Sequence, residues 1–179
     1  MAAVGRVVFI TGPSGSGKST VAAKVAGLWP STCVLLDFDK QRTFIKSGYA
    51  EPAHGWNDEC ERQWALARDV IAAMIPTYAA QNVDVVVEAY ANTGDYDLWQ
   101  KAFGDVPCRT FVLLPPLEVV LARNNQRSGA AKLQEQDVRS NYECSMGWRS
   151  QPDVTVLENF TESPEQTARR IIDAATSAA

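Results

Sequence analysis

The chain has one histidine, His54, and four cysteines, Cys33, Cys60, Cys108 and Cys144, spaced too irregularly for a C-x-x-C pair. That argues against a structural zinc site and reads the cysteines as reduced thiols of a cytoplasmic protein. No apolar run approaches bilayer-spanning length, and Val7–Ile10 is too short for the core of a signal peptide. Positive charge is in deficit, with 17 Lys and Arg against 21 Asp and Glu, a net charge of −4. A broad nucleic-acid or membrane-binding surface is therefore not expected, although a small basic pocket is not excluded. N-K-x-D and D-x-x-G are both missing, which argues against a guanine-nucleotide switch. There is no internal repeat and no low-complexity linker. The 179 residues, 46% of them hydrophobic, suffice for one domain over 1–179 with a sizeable core.

What the chain does have is Gly12-Pro13-Ser14-Gly15-Ser16-Gly17-Lys18-Ser19, a match to G-x-x-x-x-G-K-[ST], followed by Thr20. The glycines let the backbone wrap a polyphosphate so that successive N–H groups face the anion. Lys18 can reach the β- and γ-phosphates, and the Ser19 hydroxyl can join a Mg²⁺ shell. Arg6–Ile10 before the loop reads as a strand, and Val21, Val25 and Leu28 behind it recur at helical spacing. Strand, glycine loop, helix is the context this motif requires.

Short apolar runs then alternate with helical patterns, which predicts an α/β fold with about five parallel strands flanked by helices. The runs are Val7–Ile10, Cys33–Leu36, Val83–Val87, Thr110–Leu114 and Val154–Leu157. Asn57 caps a helix whose apolar face is Cys60, Trp64, Ala67, Ile71 and Met74, and Pro76 is expected to kink or end it. Pro115-Pro116 introduces a helix over Leu117–Arg127, and Ser163-Pro164-Glu165-Gln166 forms a capping box for the last helix. The polar segment near 127–146 reads as a less regular, mobile lid.

In an open parallel sheet, ligands bind beyond the carboxyl ends of the strands. Strand two ends in Asp37-Phe38-Asp39-Lys40-Gln41-Arg42, and strand three in Glu88-Ala89-Tyr90. Asp37 and Asp39 share a face if the segment is extended. One of them suits water-mediated contact to Mg²⁺ and the other suits taking a proton from an incoming hydroxyl; we assign Asp37 to the first role and Asp39 to the second. Plain strand-end turn residues are the alternative. Glu88 suits a metal or water ligand, or a cap or ion pair. Arg42, Trp56, Glu88, Tyr90, Asn92 and Asp95 are placed around the acceptor, with Arg42 binding an anionic or polar group on it. Arg123 and Arg127, four apart, share a helix face and suit adenine stacking and charge stabilisation of a transferring phosphoryl group. Lys132 and Arg139 are weaker candidates. Trp64 reads as core, and His54 as a loop residue. A lid that closes over bound acceptor suppresses transfer to water.

These residues together resemble the small P-loop kinases, among them shikimate kinase, gluconate kinase, polynucleotide kinase and chloramphenicol phosphotransferase. Gly12–Thr20 is similar to the family's phosphate loop. Asp37-Phe38-Asp39 resembles the Asp-x-Asp of shikimate kinase, where the second aspartate contacts the accepting hydroxyl. Asp39-Lys40-Gln41-Arg42 resembles the Asp-x-x-Arg of polynucleotide kinase. Leu121–Arg127 is similar to the family's arginine-bearing start of the lid, and Asn159 falls where its adenine-contacting loop lies. The layout over Val83–Arg123 looks most like chloramphenicol phosphotransferase, which puts the catalytic aspartate at Asp39. No Gly-Gly-Gly run follows strand three, a departure from shikimate kinase.

The resemblance implies an ATP- and Mg²⁺-dependent O-phosphotransferase acting on a small-molecule hydroxyl, catalysed by Asp39, Lys18, Arg123 and Arg127. An antibiotic or natural product, a sugar acid and a nucleoside-like metabolite all remain open as acceptor. A polynucleotide end kinase is the rival that the acidic charge disfavours. A nucleotide-binding switch without transfer is the rival from another class. Kinases of this kind can dimerise, so a homodimer is also open.

Overall fold

The computed structural model describes residues 5–52, 55–129, 132–159 and 161–177. The elements run β1 (Val7–Thr11), α1 (Lys18–Leu28), β2 (Cys33–Asp37), α2 (Phe38–Arg42), α3 (Asp58–Ala79), β3 (Asp84–Glu88), α4 (Tyr96–Phe103), β4 (Cys108–Leu113), α5 (Leu117–Asn125), α6 (Glu135–Met146), β5 (Val154–Leu157) and α7 (Pro164–Thr176). The strands form one five-stranded sheet in the order β2-β3-β1-β4-β5, parallel at every pairing.

Central strand β1 is buried along its whole length, and its alternate residues face opposite layers. Val7 and Phe9 join the core under α3 and α4, with Ile71, Trp99, Phe103 and Trp148. Val8 and Ile10 join the core under α1 and α7, with Val21, Val25, Ala168 and Ile171. A strand that buries both faces reads as a continuous apolar run, which accounts for β1, β3 and β4, whereas the edge strands β2 and β5 are only partly buried.

The predicted caps are present. Asn57 Oδ1 accepts from Cys60 N at 3.0 Å. Ser163 and Gln166 form the reciprocal capping box on α7, with Pro164 in its first turn.

Three expectations are corrected and one helix was missed. Helix α3 does not end at Pro76 but continues to Ala79. A proline this near the end removes a single donor, while Ile75 and Ala79 on either side of it are buried, so packing outweighs the local cost. The lid segment is more regular than expected, because twelve of its residues form α6. An acidic first turn and the Glu135–Arg139 pair at 2.7 Å support that polar helix, and Val138 anchors it in the interior. Helix α5 stops at Asn125, so Arg127 lies just past it. Helix α4 went unpredicted, although its Trp99 and Phe103 are core residues.

Candidate active site

Strand register brings the chemistry to one edge. Asp37, the last residue of β2, is the register partner of Glu88, which is in turn the partner of Ile10, just before the glycine loop. The loop is tightly constrained by its neighbours. A Cβ on Gly12, whose φ is +145°, would lie 2.3 Å from Leu113 O, and one on Gly15 would lie 2.9 Å from Val120 O. Glycine is required at both positions. Helix α1 starts at Lys18 directly behind Gly17, so its first N–H groups open toward the loop, a ready site for an anion.

Within the loop, Lys18 Nζ stands 3.8 Å from Glu88 Oε1, and Ser19 Oγ donates to the same oxygen at 3.2 Å. Burial pushes Glu88 above the usual carboxylate range; Lys18 opposes that shift, and Asp37 and Asp39 add to it. Glu88 therefore behaves as a shielded carboxylate held ready by a lysine and a hydroxyl.

The two arginines both close on the glycine loop. Arg123 donates to Ser16 O at 3.0 Å and to Asn159 O at 3.4 Å. Arg127 donates to Ser14 Oγ at 2.9 Å. Buried Asn159 donates through Nδ2 to Ser16 O at 3.0 Å. Gly15, Gly17, Thr20, Arg123, Arg127 and Asn159 line a cavity of about 270 Å³, completed by Glu162, Pro164 and Thr167. Asn159 Oδ1 in its lining and the Ser16 hydroxyl in the glycine loop are buried with no hydrogen-bond partner. Buried polar atoms seldom stay unpaired, and a nucleotide brings amino and hydroxyl donors that suit Asn159 Oδ1. Glu162, Pro164 and Thr167 were not anticipated, because they become neighbours only when α7 packs beside α1.

On the acceptor side, four residues make contacts that the sequence did not foresee. Asp37 and Asp39 do not share an extended face. Asp37 caps α2, accepting from Lys40 N at 3.0 Å, and Asp39 sits in the first turn of that helix. Arg42 is committed to protein partners. It is buried, lies over the Trp64 ring at 4.1 Å, donates to Tyr49 Oη at 2.8 Å and approaches Asp39 Oδ1 at 3.7 Å. Asn92 also serves the backbone, capping the short turn Thr93–Asp95.

The remaining candidates divide between surface and interior. Trp56 is exposed and meets Trp64 edge-on at 5.2 Å. Tyr90 is half-buried, and burial, with Cys144 and Asp95 nearby, pushes its hydroxyl up to about 12. Trp64 packs against the core and meets Phe38 at 5.0 Å. Arg139 pairs with Glu135. His54 lies outside the described residues. Tyr49 and Thr11 were missed; Thr11 Oγ1 accepts from Ala91 N at 3.0 Å, tying the glycine loop to the chain beyond β3.

No three His, Cys, Asp or Glu side chains cluster as a metal cage among the described residues. Mg²⁺ at a phosphate site needs none, because it keeps several waters and shares substrate phosphates. Ser19 Oγ and the neighbouring carboxylates suit that arrangement.

The AAA domain family model matches residues 7–143, and the chain belongs to that family. No curated protein matches it. Among solved structures, the tunicamycin resistance protein of Deinococcus radiodurans is 18% identical, with a TM-score of 0.70 and 97% of both chains covered. A sugar kinase from Janibacter sp. HTCC2649 is 21% identical, TM-score 0.64, covering 96% of this chain and 92% of that one. Shikimate kinase from Acinetobacter baumannii is 17% identical, TM-score 0.65, covering 97% and 94%. The fold is that of the P-loop kinases. No helix among the described residues is long and apolar enough to cross a membrane.

Proposed function

We propose that this protein is an ATP-dependent O-phosphotransferase that phosphorylates a hydroxyl of a small molecule in the cytoplasm. The observation that carries the proposal is the meeting of a donor half and an acceptor half at one sheet edge. Lys18, Ser19 and Glu88 stand together at the glycine loop, and Asp39 opens to solvent on the short helix that leaves the neighbouring strand end.

The backbone of Gly12–Thr20 and the Lys18 ammonium hold the polyphosphate. Ser19 would hold Mg²⁺ directly and Asp37 through water, and the ion would there neutralise charge on the phosphate oxygens. Asp39 accepts a hydrogen bond from the acceptor hydroxyl, aims its oxygen at the γ-phosphorus and takes its proton. The bond between the γ-phosphorus and the bridging oxygen breaks as the new P–O bond forms, leaving ADP and a phosphate monoester. Lys18, Arg123 and Arg127 stabilise the charge on the phosphoryl oxygens. A general base of this kind contributes about 10²–10⁴ in rate.

An antibiotic or related natural product is the acceptor class this reading favours, which would make the protein a resistance factor. The fold shared with the tunicamycin resistance protein supports that choice. The test is ³²P transfer from ATP to a panel of hydroxylated antibiotics, metabolites and DNA 5′ ends. Transfer to small molecules supports the proposal, and transfer to DNA ends alone overturns it.

A further inference from the structure

Each carboxylate at the sheet edge already has a cation. Lys40 Nζ is 3.0 Å from Asp37, Arg42 Nε is 3.7 Å from Asp39, and Lys18 Nζ is 3.8 Å from Glu88. When Lys18 turns to a polyphosphate, the surplus charge left on this edge is negative. Among the described residues, Lys40 and Arg42 are already paired with Asp37 and Asp39, so a carboxylate on the acceptor would have to compete with them and would meet the charge of Asp39.

Arg42 is the residue that a carboxylated acceptor would need, and its surroundings hold it in place. Its guanidinium lies over Trp64 and is bonded to Tyr49 Oη. Its buried Nε has no hydrogen-bond partner and lies toward Asp39 Oδ1 at 3.7 Å. The side chain is thus spent on an aromatic platform and on the carboxylate of the proposed base. Swinging it out would cost the stacking, the tyrosine bond and the pairing of Asp39 together.

The same platform extends outward as apolar surface. Phe9 meets Trp99, Trp99 meets Phe38, Phe38 meets Trp64, and Trp64 meets Trp56, each pair with ring centroids 5.0–5.5 Å apart. This ladder starts in the core and ends on an indole that is 54% exposed. Phe44, two residues past Arg42, is 67% exposed. Single exposed aromatics are ordinary, but Trp56 meets edge-on the same Trp64 ring over which Arg42, the partner of Asp39, lies, so its exposed indole offers a surface suited to a flat apolar ring.

Resting on the phosphotransfer reading, we infer that the acceptor is an uncharged hydroxyl compound carrying an aromatic ring, which packs against Trp56 while its hydroxyl reaches Asp39. Sugar acids are excluded as acceptors by the same geometry. Arg42 is a positioning residue that holds Asp39, and it does not bind acceptor.

The test uses two matched triplets on the full chain with Mg-ATP, read by phosphate mass gain and by initial rates. One triplet is phenyl β-glucoside, phenyl β-glucuronide and methyl β-glucoside; the other is 1-phenylethane-1,2-diol, mandelate and ethane-1,2-diol. The neutral aryl member of a triplet should exceed both others in kcat/KM by about tenfold or more, and Trp56→Ala should lower its kcat/KM about tenfold, mainly through KM. Preference for glucuronide or mandelate, equal use of aryl and non-aryl members, or no effect of Trp56→Ala overturns this inference and leaves phosphotransfer standing. Transfer to none of the six, with transfer to another hydroxylated antibiotic or metabolite, overturns this inference alone; transfer to no small molecule overturns both.

Discussion

Lys18 Nζ and Glu88 Oε1 form a buried ion pair at 3.8 Å, although burial holds Glu88 above the usual carboxylate range. A carboxylate is costly in this position, and its closest charge is the lysine meant for phosphate. Free of nucleotide, the loop thus keeps its lysine neutralised by an internal anion that polyphosphate must replace. Glu88→Gln removes that competitor and the repulsion Glu88 exerts on phosphates. In EDTA, metal-free ATP should bind the variant about tenfold more tightly than wild type, equivalent to ~1.4 kcal/mol. Isothermal titration checks this, and equal or weaker binding would show that Glu88 does not oppose the anion.

Asp39 separates binding from transfer. Its side chain is 63% exposed and belongs to α2, away from the residues that line the nucleotide cavity. Asp39→Asn should leave the ATP dissociation constant within about twofold while single-turnover transfer falls by roughly 10³. Transfer near the wild-type rate would remove Asp39 from the role of base.

Two glycines with positive φ should respond very differently to alanine. Gly12 has no room, since a Cβ would lie 2.3 Å from the Leu113 carbonyl oxygen, whereas nothing lies within 4 Å of a Cβ on Gly48. Gly48→Ala costs only the left-handed backbone strain, about 1 kcal/mol. Gly12→Ala adds a backbone clash and should cost about 3 kcal/mol or more, with loss of ATP binding. Thermal melts of the two variants side by side decide the matter; similar Tm losses would mean that the β1–β4 spacing yields easily.

The inner strands β1, β3 and β4 were readable because burial on both faces writes an uninterrupted apolar run, and the glycine loop because its spacing is dictated by a polyphosphate. Partnership across the chain was not readable. Arg42 looks like a free anion-binding residue until Trp64, a helix away, is seen beneath its guanidinium and Tyr49 beside it. Asp37 looks as if it shares an extended face with Asp39 until α2 begins on it and takes its oxygen as a cap. Arg123 and Arg127 do not share a helix face, because α5 ends at Asn125; they meet at the glycine loop instead, at Ser16 and Ser14. Helix α4 is eight residues long, too brief for its periodicity to stand out.

The cysteines give a prediction about alkaline stability. Burial, helped by nearby Asp84, raises Cys33 from 9.0 to about 11, and burial raises Cys108 from 9.0 to about 12. In the unfolded chain both ionise near their ordinary value, so between that value and the folded one the native state binds more protons. A raised folded pKa contributes stability that is complete below 9 and is lost as pH climbs toward 11 and beyond. Tm should therefore fall from pH 9 upward, and Cys33→Ala with Cys108→Ala should flatten that fall while lowering Tm at pH 7 through lost packing. At pH 8 a thiol reagent should modify Cys144, the exposed cysteine, well before the other three. Differential scanning fluorimetry across pH 7–11 and mass spectrometry of the alkylated native protein check the two halves. An unchanged slope in the double variant would mean that other groups, such as Tyr90, carry the alkaline transition.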